Sequence, residues 1–355
     1  MSRAQAQREP DPKPDRLLEW HRIFPRRGPD PKPDRALESA SGEVWRSPKM
    51  HDHRFQRRAV LGVAIASPIL GVLHGCASPL PVSLTARSTP AAQSLLNESA
   101  NAHGIAAFKA LHDLSVSHEG SWRALIDKLQ PVLIDPGFRR RSEDRLLPRE
   151  GVIAQASSGP AGRKFVVRRP SSHAFGEVRV WFNGEEARDA ERRAAAALVA
   201  DAYRLILLGP LLLAQRDLVL EVGDSERVNG VPCDVLRIQL VPGLGHANFD
   251  QAAFFIDRQE RLARRLRFSL EGLESTKGTV HEVDMFEHMA LHGMRLPTRF
   301  AEMRVHPTLI PVRDWRLVGL DVNRGFTAAD LAGPELAGAA RQPAAALARG
   351  AASLK

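Results

Sequence analysis

The sequence predicts a mainly β fold with helices (α+β): one curved antiparallel sheet with one apolar face, covered by two or three helices. Three observations predict it. Period-2 alternation of apolar and polar residues recurs over about ten short segments, many of them ending in turn residues. Helical periodicity is confined to a few stretches. The two patterns do not alternate as βαβ units, which excludes a parallel doubly wound sheet. A sheet this wide must curl, and its inner face needs covering.

The N-terminus has a different character. Residues 1–49 carry PDPKPDR twice, at Pro10–Arg16 and Pro29–Arg35. Proline at every second position removes backbone donors and favours an extended, solvated chain, so a disordered leader is expected. Met50 opens a second pattern over residues 50–75. The basic His51–Arg58 precedes an uncharged run, Ala59–Leu73, of 15 residues. That is short of the ~20 needed to span a bilayer, and it reads as a signal peptide. Arg57 and Arg58, followed by Ala59-Val60-Leu61, resemble a twin-arginine export motif. Leu73-His74-Gly75-Cys76 resembles a lipobox, which makes Cys76 the expected lipidated residue and the membrane its partner. Met50 is the favoured start, in which case 1–49 is not translated.

Charge follows the same division. The 355 residues hold 50 Lys and Arg against 41 Asp and Glu, a net +9 that invites a nucleic-acid reading. Residues 1–75 hold 14 against 9, and 76–355 hold 36 against 32. The remaining excess is ordinary for its size, so no nucleic-acid partner is expected. A hydrophobic content of 43% supports a sizeable core. Two cysteines exclude a disulfide scaffold or a four-cysteine zinc site.

Residues 76–90, rich in Ser, Pro and Thr, read as a tether. The folded domain is expected over 91–327. Ala91–Leu114 is helical, with Gly104 a possible break, and Ser115–Trp122 is a strand. Ala124–Leu133 is a short helix ended by Asp135-Pro136-Gly137. Phe138–Leu146, Val152–Ala156, Arg163–Arg169 and Glu177–Phe182 suit strands, and Asn183-Gly184 suits a hairpin turn. Glu186–Leu208 is a long helix stopped by Gly209-Pro210. Strands resume at Asp217–Val222 and Glu226–Pro232, then Cys233–Leu240 after the Asn229-Gly230 turn. A glycine-rich connection, Pro242–Ala247, precedes strands Ala252–Asp257, Leu262–Leu270, Gly278–Glu287, Leu296–Val305 and Val312–Val322. The alanine-rich 328–355 is expected to be a disordered tail.

The order Val228-Asn229-Gly230-Val231-Pro232, Phe254–Asp257, Leu262–Phe268, Thr276–Val283 and Gly293–Pro297 resembles the periplasmic lipoprotein-carrier (LolA/LolB-like) superfamily over roughly 115–305. That resemblance implies an unclosed β-barrel, a half-barrel lidded by helices, that holds acyl chains or another apolar ligand. The Pro242–Ala247 segment and the Asp314–Gly325 region depart from the pattern.

An apolar ligand or lipid is the expected partner, and the alternating strand faces nominate its contacts: Val180, Phe182, Leu236, Ile238, Phe254, Ile256, Leu266, Phe268, Val283 and Met285. Ordinary core packing is the competing reading for each. Arg168 or Asp257 would meet a head group. No catalytic residue, metal or cofactor is expected: there is no GxSxG, no P-loop and no HExxH. Cys233 reads as a structural thiol. Two alternatives stay open. One is a periplasmic metal-dependent enzyme using His281, His288 and His292. The other is a structural envelope lipoprotein with a filled core.

Overall fold

The computed structural model describes residues 80, 84, 88–169 and 175–348. The leader, Arg57, Arg58 and Cys76 lie outside the described residues.

Among the described residues, thirteen strands form one antiparallel sheet. The first half is a meander of β1 (Leu114–Trp122), β2 (Arg141–Leu147), β3 (Val152–Gly159), β4 (Gly162–Arg169), β5 (Glu177–Phe182) and β6 (Glu185–Glu186). The second runs through β7 (Val219–Val228), β8 (Val231–Leu240), β9 (Asp250–Asp257), β10 (Ala263–Ser269), β11 (Val280–Leu291), β12 (Met294–His306) and β13 (Ile310–Val322). The halves join where β1 pairs with β13, Leu114 opposite Val322. β6 and β7 are left as the two edges, so the barrel is unclosed. Hairpin chemistry sets the register locally. Asn183-Gly184 and Asn229-Gly230 both have positive φ at both positions, the backbone that a two-residue hairpin turn requires.

The helices are α1 (Pro90–His103), α2 (Ile105–Ala110), α3 (Ala124–Leu129), α4 (Pro131–Ile134) and α5 (Ala190–Leu213). Gly104 separates α1 from α2 at φ 91°. A Cβ there would stand 2.3 Å from the Gly293 carbonyl oxygen, so only glycine fits. α5 leads from the β6 edge to the β7 edge, and its 24 residues span about 36 Å. It starts four residues later than expected, with Asp189 capping Arg192 N–H at 2.8 Å. It also continues through Gly209-Pro210 to Leu213. Gly209 lets the helix lie on the sheet: a Cβ there would meet Phe254 Cζ at 2.2 Å. α5 is long and apolar enough to cross a membrane, with a mean hydropathy of 1.7, but 72% of that window is buried inside the protein.

The main core lies between the sheet's concave face and α1, α2 and α5. Leu236, Ile238, Phe254, Ile256, Leu266, Phe268, Val283 and Met285 all belong to it. The sheet is also covered in part on its other face. There Phe165, Val167 and Trp181 pack against Phe326, Leu331, Leu336 and Ala340. The uninterrupted apolar runs Phe165–Val167 and Phe254–Ile256 mark strands buried on both sides. Residues 328–348 therefore do not form a disordered tail. Arg145, fully buried, anchors this strap by donating to the Ala340 and Gln342 carbonyl oxygens at 2.9 and 2.6 Å.

Candidate functional site: an arginine-lined cleft beside α5

The ten residues nominated as ligand contacts lie under the helices, but they are packed. Leu236, Phe254, Ile256, Leu266 and Val283 are fully buried, and Val180 packs with Val166 against Ala196 of α5. Phe182 is half-buried in the same cluster. Of the ten, Phe268 lines a void of about 40 Å³. Apolar side chains of the sheet, α1 and α5 pack together in the half-barrel interior.

The three histidines are not brought together. His281 and His288 are seven residues apart on β11, about 23 Å along a strand. His281 Nδ1 faces Glu302 Oε1 at 2.8 Å. His288 instead packs its ring 5.9 Å from that of His103, and His292 sits in the β11–β12 turn at φ 49°. The metal-dependent reading of this region is thereby corrected: a strand spreads residues that a helix would have gathered. Among the described residues no cluster of three His, Cys, Asp or Glu side chains has metal-binding geometry. Cys233 is buried, and burial pushes its thiol pKa up, away from nucleophile chemistry. Asp257 holds the turn after β9, accepting from Gln259 N–H at 2.8 Å and pairing with Arg264 at 2.7 Å.

Arg168 has a different setting. It lines a cleft of about 460 Å³ on the side of α5 facing the glycine-rich connection. Four segments build the cleft: the β2–β3 turn with Arg149, the end of β4 with Arg168, α5 and its continuation with Arg204 and Arg216, and residues 242–245. The 242–245 wall approaches α5 so closely that a Cβ on Gly245, at φ +62°, would stand 2.9 Å from Leu198 Cα.

Charge and apolar surface are segregated in the cleft. Among the described residues, four arginines face a single carboxylate, Asp201. Arg168 Nη2 donates to Asp201 Oδ2 at 2.9 Å and to the Gly245 carbonyl at 3.0 Å. Its Nη1 is buried without a partner among those residues. Arg204 donates to the Gly151 carbonyl at 2.7 Å, and Arg216 to that of Val241 at 2.9 Å. Carbonyl oxygens satisfy guanidinium hydrogen bonds without neutralising charge, so the positive excess stands. Burial pulls Arg204 below the ordinary guanidinium pKa, yet arginine stays charged. Leu205, Leu212, Leu213, Leu240 and Leu244 supply the apolar wall, and Phe175 is 40% exposed at the rim. Sequence reasoning found Arg168 and flagged 242–247 as unusual. It missed Arg149, Arg204 and Arg216, which lie far apart in the chain and fit no motif.

No protein-family model and no curated protein matches the sequence. Solved structures similar to it include a DUF1329 family protein from Desulfovibrio piger, at 9% identity and TM-score 0.43, covering 69% of this chain and 98% of that one. A domain titled a putative outer membrane lipoprotein-sorting protein, from Vibrio parahaemolyticus, follows at 11% and 0.37, covering 68% and 97%. A LolA superfamily protein from Nitrosomonas europaea stands at 11% and 0.36, covering 68% and 96%. At these values the likeness assigns neither family nor activity.

Proposed function

We propose that this protein is an exported, lipid-anchored envelope protein that binds an anionic amphiphile in the cleft beside α5. The carrying observation is four arginines against one aspartate, next to a wall of leucines, in a space of about 460 Å³. That volume falls within the usual range for small-molecule sites. A guanidinium binds a carboxylate or phosphate through charge-assisted hydrogen bonds, and the leucine wall removes the chain from water. The chemistry is binding and release, with no bond made or broken. The ligand lies outside the packed core, so binding does not require the concave face to be emptied.

Export and anchoring rest on Arg57, Arg58 and Cys76. Labelling with a radioactive fatty acid tests the anchor: label that persists in Cys76→Ala refutes it. Solvent extraction of full-length protein followed by mass spectrometry tests the binding reading. An anionic amphiphile at near-equimolar ratio is expected.

The packing of the ten nominated residues favours a second reading, a structural envelope protein with a filled core. That reading predicts an empty extract and no affinity for amphiphiles.

A further inference from the structure

The sheet has two ends, and its exposed apolar residues divide unevenly between them. Antiparallel pairing brings the starts of β7, β9, β11 and β13 and the finishes of β1, β8, β10 and β12 to one end. Among the described residues seven large apolar side chains are exposed, and five of them, Leu125, Leu129, Val241, Phe249 and Leu309, lie at this end. Val241 and Phe249 bound the connection from β8 to β9, Leu309 is in the β12–β13 turn, and α3 follows β1. Of the other two, Val222 is on the edge strand β7 and Phe175 lines the cleft.

The segments at this end are tied together. Ile126 of α3 packs with Val312 of β13, which leaves Leu125 and Leu129 as an outward i, i+4 pair. Gln130 Nε2 donates to the Ser275 carbonyl at 2.6 Å, in the connection that leads to β11. Single exposed leucines are ordinary, but a concentration of them marks a surface for a protein or a membrane.

The N-terminal segment favours the membrane. Ser88 Oγ accepts the Leu220 N–H at 3.2 Å, and Thr89 N–H reaches the Leu220 carbonyl at 3.4 Å, both at the start of β7. Leu80 is buried on the convex face in a cluster that includes Phe255 and Val280, the first residue of β11. Cys76 is four residues before Leu80, a reach of at most about 14 Å. An anchor at Cys76 therefore keeps the bilayer close to the sheet.

We propose that this end of the half-barrel seats on the lipid bilayer, with Leu125, Leu129, Val241, Phe249 and Leu309 entering the interfacial layer. The seating rests on anchoring through Cys76. An acyl anchor tethers the protein without orienting it, and the apolar end supplies the second contact that firm attachment needs. Val241 leads directly into the 242–245 wall, which sets the cleft beside the seated end.

The test is hydrogen exchange of the full-length protein with and without vesicles of phosphatidylethanolamine and phosphatidylglycerol. Exchange in 123–130, 241–249 and 307–310 is expected to slow several-fold with vesicles, as lipid shields those loops. Exchange in 258–262 and 292–293, turns at the opposite end, is expected to stay unchanged. Leu125→Ser combined with Leu309→Ser should abolish the slowing at 123–130 and 307–310 while vesicle association persists. Those side chains are 53% and 66% exposed, so the fold is retained. Association without slowing at this end, or slowing kept in the double variant, would overturn the seating and leave the anchor standing. Slowing that needs no vesicles and grows with protein concentration would identify a second copy as the occupant and would also overturn it. No association with vesicles would overturn the anchor and the seating together.

Discussion

Asp201 Oδ2 lies 2.9 Å from Arg168 Nη2 and also accepts the Gly245 N–H at 3.0 Å. One carboxylate oxygen thus ties β4, α5 and the glycine-rich wall together. The pair is mostly buried, with 6% and 15% of the two side chains exposed. Asp201→Asn should leave Arg168 without its counter-charge and cost about 2–4 kcal/mol in urea unfolding. A loss below the error of the fit would mean that the pair does not organise the cleft.

Gly245 is the position at which the wall approaches α5. Its positive φ and the 2.9 Å approach to Leu198 Cα both oppose a side chain. Gly245→Ala should destabilise by about 1–3 kcal/mol and reduce ligand affinity. Gly230 also has positive φ, but a Cβ at that position would meet nothing within 4 Å. Gly230→Ala should therefore cost less and leave affinity unchanged.

His103 gives the stability a pH dependence. Its Nδ1 donates to the Arg295 carbonyl at 2.7 Å, and its Nε2 accepts the Ala263 N–H at 3.0 Å, so the ring is held neutral. Burial lowers its pKa from 6.5 to about 4, with Arg295 and Arg264 also disfavouring the charge. The unfolded chain binds more protons between those values, so stability rises with pH across about 4 to 6.5 and is lost on acidification. The full effect is about 3 kcal/mol. His288, also lowered to about 4, acts in the same direction, whereas Asp250, raised to about 6 by burial, acts in the opposite one. The difference between parent and His103→Gln reports the first contribution together with the relief of His288, whose pKa His103 also lowers. It should grow from pH 4 to 6.5 and then level off, and a flat difference would contradict the assignment.

Arg145 holds the strap on the convex face through the Ala340 and Gln342 carbonyls. Arg145→Ala should release residues 328–348 and let the backbone around the already exposed Arg341 open to trypsin. Cleavage there should be faster than in the parent by an order of magnitude or more, as a segment shifts from packed to open. Equal cleavage rates would show that the arginine does not anchor the strap.

Strand faces were the most legible part of the sequence. Val178, Val180 and Phe182 share one face of β5, and all ten nominated apolar residues project to the helix-covered side. On that side they pack in the core beneath α1 and α5. α5 ran past its expected end because Pro210 is buried against the sheet and packing outweighs its missing N–H. The strap was illegible because its anchors, Leu331, Leu336 and Ala340, are sparse in an alanine-rich stretch and show no period. The cleft was illegible for a different reason: Arg149, Arg168, Arg204 and Arg216 converge only through tertiary structure, and nothing in their spacing announces it.

The most direct test of the cleft is equilibrium binding of dodecanoate to the full-length protein, compared with a cationic amphiphile of equal chain length. Arg204→Gln combined with Arg216→Gln should lower dodecanoate affinity about 10- to 100-fold, and the parent's affinity should fall with added salt. The cationic amphiphile should bind far more weakly. Equal binding of the two amphiphiles, or dodecanoate affinity unchanged in the double variant, would contradict an arginine-lined site for an anionic amphiphile.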